Sequence, residues 1–161
     1  MNYEIRTAQE EDLSQILEIY AYAREFMAAN GNPHQWGKTN PPRETLEADI
    51  AGGKLYAAQN GGKICGVFFF SVGEDPTYRK IYNGKWLSDA PYGTIHRIAS
   101  NGSGGLFKAC VDFCKTQCPH LRIDTHADNK IMQHVIEKAG FQRCGIIYIA
   151  DGTPRIAYER I

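Results

Sequence analysis

One stretch of the chain, residues 93 to 141, constrains the fold more than any other because it alternates strand-like and helix-like segments in a distinctive order. The strand-like run Gly93–Ala99 enters the glycine-bearing turn Ser100–Gly105, and an amphipathic helix follows. The strand-like run Leu121–His126 comes next, and Asn129 opens a second helix that stops at Gly140–Phe141. A turn whose unpaired amides meet the start of a helix favours phosphate binding, because N–H donors and the positive end of the helix dipole point to the same place.

Two other glycine-dependent phosphate loops do not match this turn. The dinucleotide fingerprint Gly-x-Gly-x-x-Gly fails because, after Gly102 and Gly104, Phe107 stands where the third glycine should be. The Walker A loop ends in Gly-Lys-Ser/Thr, whereas Lys108 is preceded by Phe107 and followed by Ala109. A nucleotide-binding protein of either kind is therefore disfavoured.

The remainder of the chain supplies segments that complete an α/β domain. Thr7 and Glu10 have the spacing of a capping box and predict the start of a first helix, which Asn30–Gly31 ends. Asn60–Gly62 predicts a hairpin, and no secondary structure is assigned to the aromatic-rich connection of residues 73–91. We expect one domain over residues 1–161, an α/β sandwich whose central mixed sheet, mostly antiparallel, carries helices on both faces. The other predicted segments are strands at Tyr3–Arg6, Lys54–Gln59, Lys63–Val72, Gln142–Ala150 and Arg155–Ile161, and a short helix at Arg43–Ala51.

The charge balance disfavours two classes of partner. Eighteen Lys and Arg residues balance eighteen Asp and Glu residues, so no overall positive field attracts nucleic acid or an anionic membrane. The first residues lack the basic and apolar regions of a signal peptide, and no apolar run reaches membrane-spanning length. We therefore expect a cytoplasmic protein without nucleic-acid or membrane partners, and the sequence leaves both a monomer and a homodimer open.

The cysteines and a short acidic motif raise the question of a metal site. Five cysteines, an odd number, do not suit a disulfide framework, so we expect free thiols. Cys110, Cys114 and Cys118 share a helix face with apolar residues, which favours core packing over metal ligation or acyl transfer. The run Asp124–Asp128 alternates acidic residues with His126, but no fourth ligand can be named, so a solvated strand end or a substrate contact is the better interpretation. We expect no metal.

The order of segments in residues 93–141 resembles the coenzyme A-binding half of the GNAT superfamily of acyl-CoA N-acyltransferases. The superfamily's usual Arg/Gln-x-x-Gly-x-Gly/Ala motif aligns with Gly102–Phe107, where the central glycine is retained as Gly105. The flanking strand, Asn129 and Gly140–Phe141 carry most of the match. The resemblance implies acetyl-CoA as the acyl donor. The implied contacts are Ile98, Ala99 and Ser100 for the pantetheine arm; backbone amides around Ser103, Gly104, Gly105, Leu106, Phe107 and Lys108 for the pyrophosphate; and Asn129 for the pantetheine or the adenine-side phosphates.

The transfer implied by this resemblance needs a base for the amine and a proton for the leaving thiolate. An ammonium of pKa near ~10 must lose its proton before it attacks. His96, on the strand beside the expected arm, is the candidate base because histidine titrates in the useful range, and the alternative is that it only packs in the sheet. The superfamily's usual acid is a tyrosine, but Ile136 occupies its place, which leaves Tyr148, Tyr92 or water, with Tyr148 as the catalytic candidate.

Aromatic residues in the two least regular loops are candidates for an acceptor pocket, because a ring there either fills the core or lines a pocket for an apolar amine. We predict an N-acetyltransferase that moves an acetyl group from acetyl-CoA to a primary amine, small or amino-acid-like, by direct attack in a ternary complex. The alternative is a non-catalytic module that binds or senses acyl-CoA in the same cleft. The candidate acceptor contacts are Trp36, Tyr82, Trp86, Tyr92 and His126.

Overall fold

The computed structural model describes residues 2–161, which form one seven-stranded sheet with four α-helices. The strands are β1 (Glu4–Thr7), β2 (Leu55–Asn60), β3 (Lys63–Val72), β4 (Gly93–Ser100), β5 (Leu121–Thr125), β6 (Gln142–Tyr148) and β7 (Pro154–Arg160). The helices are α1 (Leu13–Ala29), α2 (Arg43–Ala51), α3 (Leu106–Gln117) and α4 (Lys130–Lys138), and short 3₁₀ turns lie at Glu10–Asp12 and Pro76–Tyr78. None of the helices within residues 2–161 has the length and apolar character needed to cross a membrane.

The strands follow the order β1-β2-β3-β4-β5-β7-β6 across the sheet. Every neighbouring pair is antiparallel except β4 and β5, which run parallel. Parallel neighbours need a crossover connection, and α3 supplies it here. The predicted mixed, mostly antiparallel sheet is confirmed.

Helices cover both faces of the sheet, and each face has its own apolar core. On one face, α3 contributes Cys110 and Cys114 and α4 contributes Ile136 to a buried cluster with the central strands. On the other face, α1 contributes Ile16 and α2 contributes Leu46 to a second cluster. Burial of one aliphatic side chain of this size contributes about 1.5–3 kcal/mol, so these clusters fix the helices on the sheet. The predicted sandwich is therefore confirmed.

The cysteines belong to the packed interior. All five are free and buried. Burial raises the pKa of the Cys110 thiol well above its ordinary value, and the neighbouring Cys114 adds to the effect. A neutral, enclosed thiol behaves as a small apolar side chain and is a poor nucleophile. This agrees with the core packing expected from the helical spacing.

β4 and β5 are paired only at their beginnings and then separate. Within the described chain their pairing ends where Thr94 lies beside Arg122. β4 then bends at Arg97, which has φ of 53°, a left-handed conformation uncommon for a residue with a side chain. The bend is held by the buried Tyr20, whose hydroxyl donates to the Arg97 carbonyl at 2.6 Å, and by an ion pair from Arg97 to Asp49 at 2.8 Å. A cleft opens between the two strands as a result.

The first helix begins later than its sequence signal predicts. Thr7 is the last residue of β1 and does not cap a helix, because pairing with β2 holds it in the strand. The carboxylate of Asp12 accepts a hydrogen bond from the Gln9 amide at 2.7 Å, within the 3₁₀ turn that precedes α1. A hydrogen bond from Arg6 to Asp12 lowers the pKa of this carboxyl. Gln9 and Asp12, and not Thr7 and Glu10, therefore form the capping box at the start of this turn.

The long connection between β3 and β4 is irregular but anchored to the sheet. The backbone of Tyr82 forms a bridge with Ile146 of β6. Tyr78 is buried in a third apolar cluster with Tyr92 and Ile147. The aromatic residues of this connection are therefore largely used to fasten it to the sheet.

Candidate active site

The divergence of β4 and β5 opens a cleft that contains two adjoining cavities. The larger, of about 460 Å³, is lined by His96 and Asp124 among others, and we call it the His96 cavity. The smaller, of about 190 Å³, reaches Ser100, and we call it the Ser100 cavity. Ile98 on β4 and Asn129 before α4 line both cavities. The two cavities therefore form one groove that runs along β4 towards the turn before α3.

The turn between β4 and α3 presents backbone donors without partners. Gly105, with φ of 79°, takes the left-handed conformation just before the helix, which glycine tolerates best. The amides of Gly102 and Ser103 donate to side chains within the turn at 2.9 and 3.0 Å. Within residues 2–161 the amides of 104–108 have no acceptor, and the first bond of the helix runs from Ala109 to the Gly105 carbonyl. Consecutive free donors at the positive end of a helix suit an anion.

His96 lies on β4 within a network of two carboxylates and a buried tyrosine. Its Nε2 is 2.8 Å from Oδ2 of Asp75, and its Nδ1 is 3.8 Å from Oδ2 of Asp124. The Tyr78 hydroxyl donates to the same Asp124 oxygen at 2.6 Å. Burial, together with the charge of Asp124, raises the pKa of Tyr78 well above its ordinary value, so Tyr78 remains a donor. The His96 side chain keeps 22% of its surface exposed, which leaves it accessible from the cavity.

The ionisation of Asp75 determines which nitrogen of His96 carries a hydrogen. Burial alone would raise the pKa of Asp75, but hydrogen bonds from His96 and Thr77 outweigh burial and lower it to about 2. An ionised carboxylate can only accept hydrogen bonds, so Nε2 of His96 donates to Asp75. In the neutral ring, Nδ1 then keeps its lone pair. The cavity therefore contains a histidine nitrogen that can accept a proton.

Comparison with known proteins connects this cleft to a family. No family model matches the chain, and a search of curated proteins finds no match. Among solved structures, a GNAT-family acetyltransferase from Streptococcus agalactiae is 32% identical over 99% of this chain and 95% of that chain, with a TM-score of 0.89. The chain belongs to the GNAT family of acetyltransferases. The resemblance predicted from residues 93–141 is confirmed.

Other GNAT structures share the fold at lower identity. A GNAT-family acetyltransferase from Listeria monocytogenes is 16% identical, with coverage of 98% of this chain and 94% of that chain and a TM-score of 0.72. A GNAT-superfamily phosphinothricin acetyltransferase from Sinorhizobium meliloti, solved in complex with AcCoA, is 15% identical over 99% of this chain and 88% of that chain, with a TM-score of 0.65. At these identities the likeness supports the fold alone.

The cofactor contacts expected from the GNAT resemblance lie along the groove. Ile98, Ala99, Ser100 and Asn129 line the Ser100 cavity. Asn129 also caps α4, because its Oδ1 accepts from the Met132 amide at 3.0 Å. These positions agree with the placement predicted for a pantetheine arm, whose binding remains a prediction.

The residues expected around the pyrophosphate follow Gly102, the last residue of the turn that lines the Ser100 cavity, and among the described residues none of 103–108 lines either cavity. The Leu106 side chain is buried in the core, where it packs against Gly66, and the ring of Phe107 packs against Phe141. Lys108 forms an exposed ion pair with Asp112 at 2.6 Å. The three side chains are therefore occupied elsewhere, whereas their amides are free.

Ser103 departs from the expected set of amide donors, because its amide is already bonded inside the turn. Gly104 and Gly105 keep free amides, and the Gly104 carbonyl is held by the Tyr3 hydroxyl at 2.6 Å. The available donors therefore span residues 104–108 and exclude 103.

Four aromatic residues are expected to line an acceptor pocket, and among them Trp36 lines the His96 cavity. Trp86 and Tyr92 lie elsewhere: their rings flank the Arg122 guanidinium at 4.0 and 3.9 Å, and both pack in or against the third apolar cluster. A buried cation between two rings is a strong cation–π arrangement. These two aromatic residues therefore pack in the core and do not line the predicted pocket.

Tyr82 and Tyr148 also lie outside the lining of both cavities. Their rings meet edge to face at 5.3 Å between centroids and remain 46% and 48% exposed. Ile149, the next residue, does line the His96 cavity, so the chain passes close to the cleft while the Tyr148 ring lies against Tyr82. The structure therefore does not place Tyr148 where an acid for the cleft is needed.

His126 follows the end of β5 and lines neither cavity among the described residues. Its Nδ1 accepts from the Asp128 amide at 3.0 Å. Burial, and then the charge of Arg155, lower its pKa. Nowhere in residues 2–161 are three or more His, Cys, Asp or Glu side chains grouped to hold a metal ion.

Asp75 and Gln35 are site residues that no sequence pattern marked. Asp75 caps the 3₁₀ turn by accepting from the Thr77 amide at 2.9 Å, and an Asp before Pro is a recognisable signal for such a cap. Its contact with His96, 21 residues away, carries no local signal. Gln35 lines the His96 cavity and accepts from Asn129 across 94 residues at 3.0 Å.

Proposed function

We propose that this GNAT protein transfers an acetyl group from acetyl-CoA to a primary amine of a small molecule by direct attack within a ternary complex. The observation that carries the proposal is the groove along β4, which has a carboxylate-held histidine in its lining and reaches Gly102, two residues before the first of the helix-start amides without acceptors. One end suits phosphates and the other suits proton transfer. This chain belongs to the GNAT family, and the GNAT-superfamily phosphinothricin acetyltransferase from Sinorhizobium meliloti was solved in complex with AcCoA, which supports the choice of donor.

The cofactor end would hold acetyl-CoA mainly through the backbone. β4 loses its pairing with β5 after Thr94, which leaves strand donors and acceptors near Ile98–Ser100 for a pantetheine amide. The amides of residues 104–108 would donate hydrogen bonds to the pyrophosphate at the positive end of α3. When bound, acetyl-CoA supplies the acetyl thioester, whose carbonyl carbon bonds to the amine nitrogen as its bond to sulfur breaks.

His96 would prepare the amine at the other end of the groove. Its free Nδ1 takes the proton that the attacking nitrogen must lose, and the ionised Asp75 on Nε2 stabilises the resulting imidazolium. That proton is then available for the departing thiolate, directly or through water. The buried, neutral Cys110 is a poor nucleophile, which supports direct transfer over an acyl-enzyme on this thiol.

The proposal is tested by incubating the protein with acetyl-CoA and a panel of primary amines. Mass spectrometry should detect an N-acetylated amine in equal amount to the free CoA formed, with no acetyl adduct on the protein. A stable acetyl-cysteine that passes its acetyl group to the amine would contradict direct transfer. CoA binding by calorimetry without turnover of any amine would replace the enzyme with an acyl-CoA-binding module.

A further inference from the structure

Arg155 lies in an unusual position for a cation. It is the second residue of β7, is only 5% exposed, and lines the His96 cavity. Asp124 of β5 pairs with Ala157, two residues further along β7, so Asp124 and Arg155 lie on the same face of the sheet. This face also carries His96, and all three residues line the same cavity.

No carboxylate neutralises this buried guanidinium. Within residues 2–161, no Asp or Glu oxygen is in ion-pair range of Arg155, whereas the equally buried Arg122 meets Glu159 at 2.7 Å. Arg97, also in the cavity lining, meets Asp49 at 2.8 Å. Buried arginines are almost always paired because an isolated buried charge is costly. Of the two arginines in the described lining of this cavity, Arg97 is paired with a carboxylate and Arg155 is not.

The hydrogen bonds of Arg155 leave one edge of its guanidinium free. Both Nη1 hydrogens are used, by Oγ1 of Thr153 at 3.0 Å and the Pro154 carbonyl at 2.8 Å. Nη2 makes a single long bond, to the Gln35 carbonyl at 3.4 Å, and Nε has no acceptor among the described residues. The Nε and Nη2 hydrogens point the same way and match the two oxygens of a carboxylate.

The electrostatic surroundings of Arg155 favour the binding of an anion. Burial lowers the pKa of Arg155, and the charges of Asp124 and Asp151 only partly offset the effect. Asp151 is held at a distance through Thr153, whose hydroxyl donates to it at 2.5 Å. A bound carboxylate would place an opposite charge at the guanidinium itself.

We propose that Arg155 binds a carboxylate of the acceptor, so that the acceptor is an amino acid or a similar compound with both an ammonium and a carboxylate. The inference rests on the proposed function and adds the chemical class of its substrate. Asp124, beside His96, lies where the ammonium end would be attracted before it loses its proton. The acceptor, not the cofactor, is assigned to Arg155 because Arg155 lines the His96 cavity and is absent from the lining of the Ser100 cavity, near the free amides.

Binding tests this inference without requiring turnover. Protein saturated with CoA is titrated by calorimetry with matched pairs: each amino acid and the amine that remains when its carboxylate is removed, such as phenylalanine with phenethylamine and leucine with 3-methylbutylamine. At least one amino acid should bind about 10- to 100-fold more tightly than its partner, because charge-assisted bidentate bonds are strong. The inference is overturned if no amino acid in the panel is preferred.

Variants then assign the preference to one residue. Arg155→Gln should remove it while CoA affinity stays the same, and Arg155→Lys, which keeps the charge but loses the fork, should remove most of it and serves as the test if Arg155→Gln does not fold. Arg43→Gln is the control, since Arg43 forms an exposed ion pair with Glu47 on α2 and lines neither cavity among the described residues, and it should retain the preference. A preference that survives both Arg155 variants overturns the inference.

Turnover separates this inference from the proposed function. Amino acids that bind through Arg155 but are never acetylated would refute the amine acetyltransferase and leave the carboxylate site intact. Acetylation of the decarboxylated amines as fast as the amino acids would support the enzyme and overturn the role of Arg155.

Discussion

The two ends of the groove are built from different materials. At the α3 end, the donors are the backbone amides of residues 104–108, and nearby side chains such as Leu106 and Lys108 are engaged elsewhere. At the other end, the chemistry belongs to side chains such as His96 and Asp75, brought together from separate segments. The first end depends on the path of the chain, whereas the second depends on residue identity. The two ends should therefore respond to substitution, and to pH, in different ways.

This difference explains why the family motif is degenerate here without loss of the fold that forms it. The positions that usually carry a cation and a small residue are Gly102 and Phe107, and only the central Gly105 is retained. Gly105 has a positive φ that other residues disfavour. An amide donor needs the correct backbone conformation and nothing from its own side chain, so such a site tolerates wide sequence change.

The largest effect is expected from removal of the side chain at the reactive end. His96→Ala should lower turnover by about 10²- to 10⁴-fold near neutral pH, the usual contribution of a general base, and leave acetyl-CoA affinity nearly unchanged. The loss should shrink as pH rises, because more of the amine then arrives deprotonated. The measurement is the pH–rate profile of wild type and variant.

His134→Ala is the matched control for this experiment, since His134 is exposed on α4 and lines neither cavity among the described residues. It should turn over like wild type. Equal rates for wild type and His96→Ala between pH 6.5 and 7.5 would reduce His96 to a packed histidine and break the contrast between the two ends.

The backbone end is best tested at Gly104. A side-chain atom there would meet nothing within 4 Å and Gly104 has no positive φ, whereas any substitution at Gly105 is strained by its φ of 79°. Gly104→Glu should weaken CoA binding by about 10- to 100-fold, because its carboxylate would stand beside the phosphates. Calorimetry with CoA measures the change.

Gly104→Ala adds a side-chain atom without charge and should bind CoA within about twofold of wild type, because the amide itself is unchanged. Equal CoA affinity for a folded Gly104→Glu variant would remove this turn from the cofactor site. A large loss in Gly104→Ala would mean that shape, not charge, governs this end.

A smaller effect should appear in the pH dependence of stability. The pKa of Asp75 is about 2 in the folded chain against an ordinary value of 3.8, so its ionised form contributes stability above about pH 4 that is lost as pH falls towards about 2. The shift corresponds to about 2 kcal/mol. Asp75→Asn should therefore lower the free energy of unfolding at pH 7 by about this amount, with the difference narrowing below about pH 4.

Urea unfolding at several pH values measures this difference. Asp112→Asn is the control, because Asp112 is exposed and its ion pair with Lys108 is of the kind that contributes little. A difference between wild type and Asp75→Asn that does not change from pH 7 to pH 3 would show that the contact with His96 does not depend on the charge of Asp75.

The sequence could predict the fold and the glycine-bearing turn before α3 much better than the contacts around His96. Segment order and turn chemistry are local, so β3, α2 and the glycine turn were placed correctly from their patterns. The predicted start of α1 is wrong because pairing with β2, a non-local interaction, holds Thr7 in β1. The contacts of His96 and of the aromatic connection are non-local. Nothing near Asp75 in the sequence indicates that it meets His96, and nothing near Trp86 indicates that its ring packs against the Arg122 guanidinium.

The smallest effect is expected from a substitution at Tyr148, which lies outside the lining of the reactive end. The sequence suggested Tyr148 as a replacement for the missing acid at Ile136, but its ring is about half exposed, rests on Tyr82 and lines neither cavity among the described residues. Tyr148→Phe removes only the hydroxyl and should change turnover by no more than about twofold, since a group without access to the thiolate cannot assist its departure.

Steady-state rates from pH 6 to 9 measure this change in turnover, with Tyr82→Phe as the matched control. A loss of tenfold or more in Tyr148→Phe alone would show that the segment beside Ile149 rearranges when the groove is filled, and the acid would then come from a side chain that moves into the site.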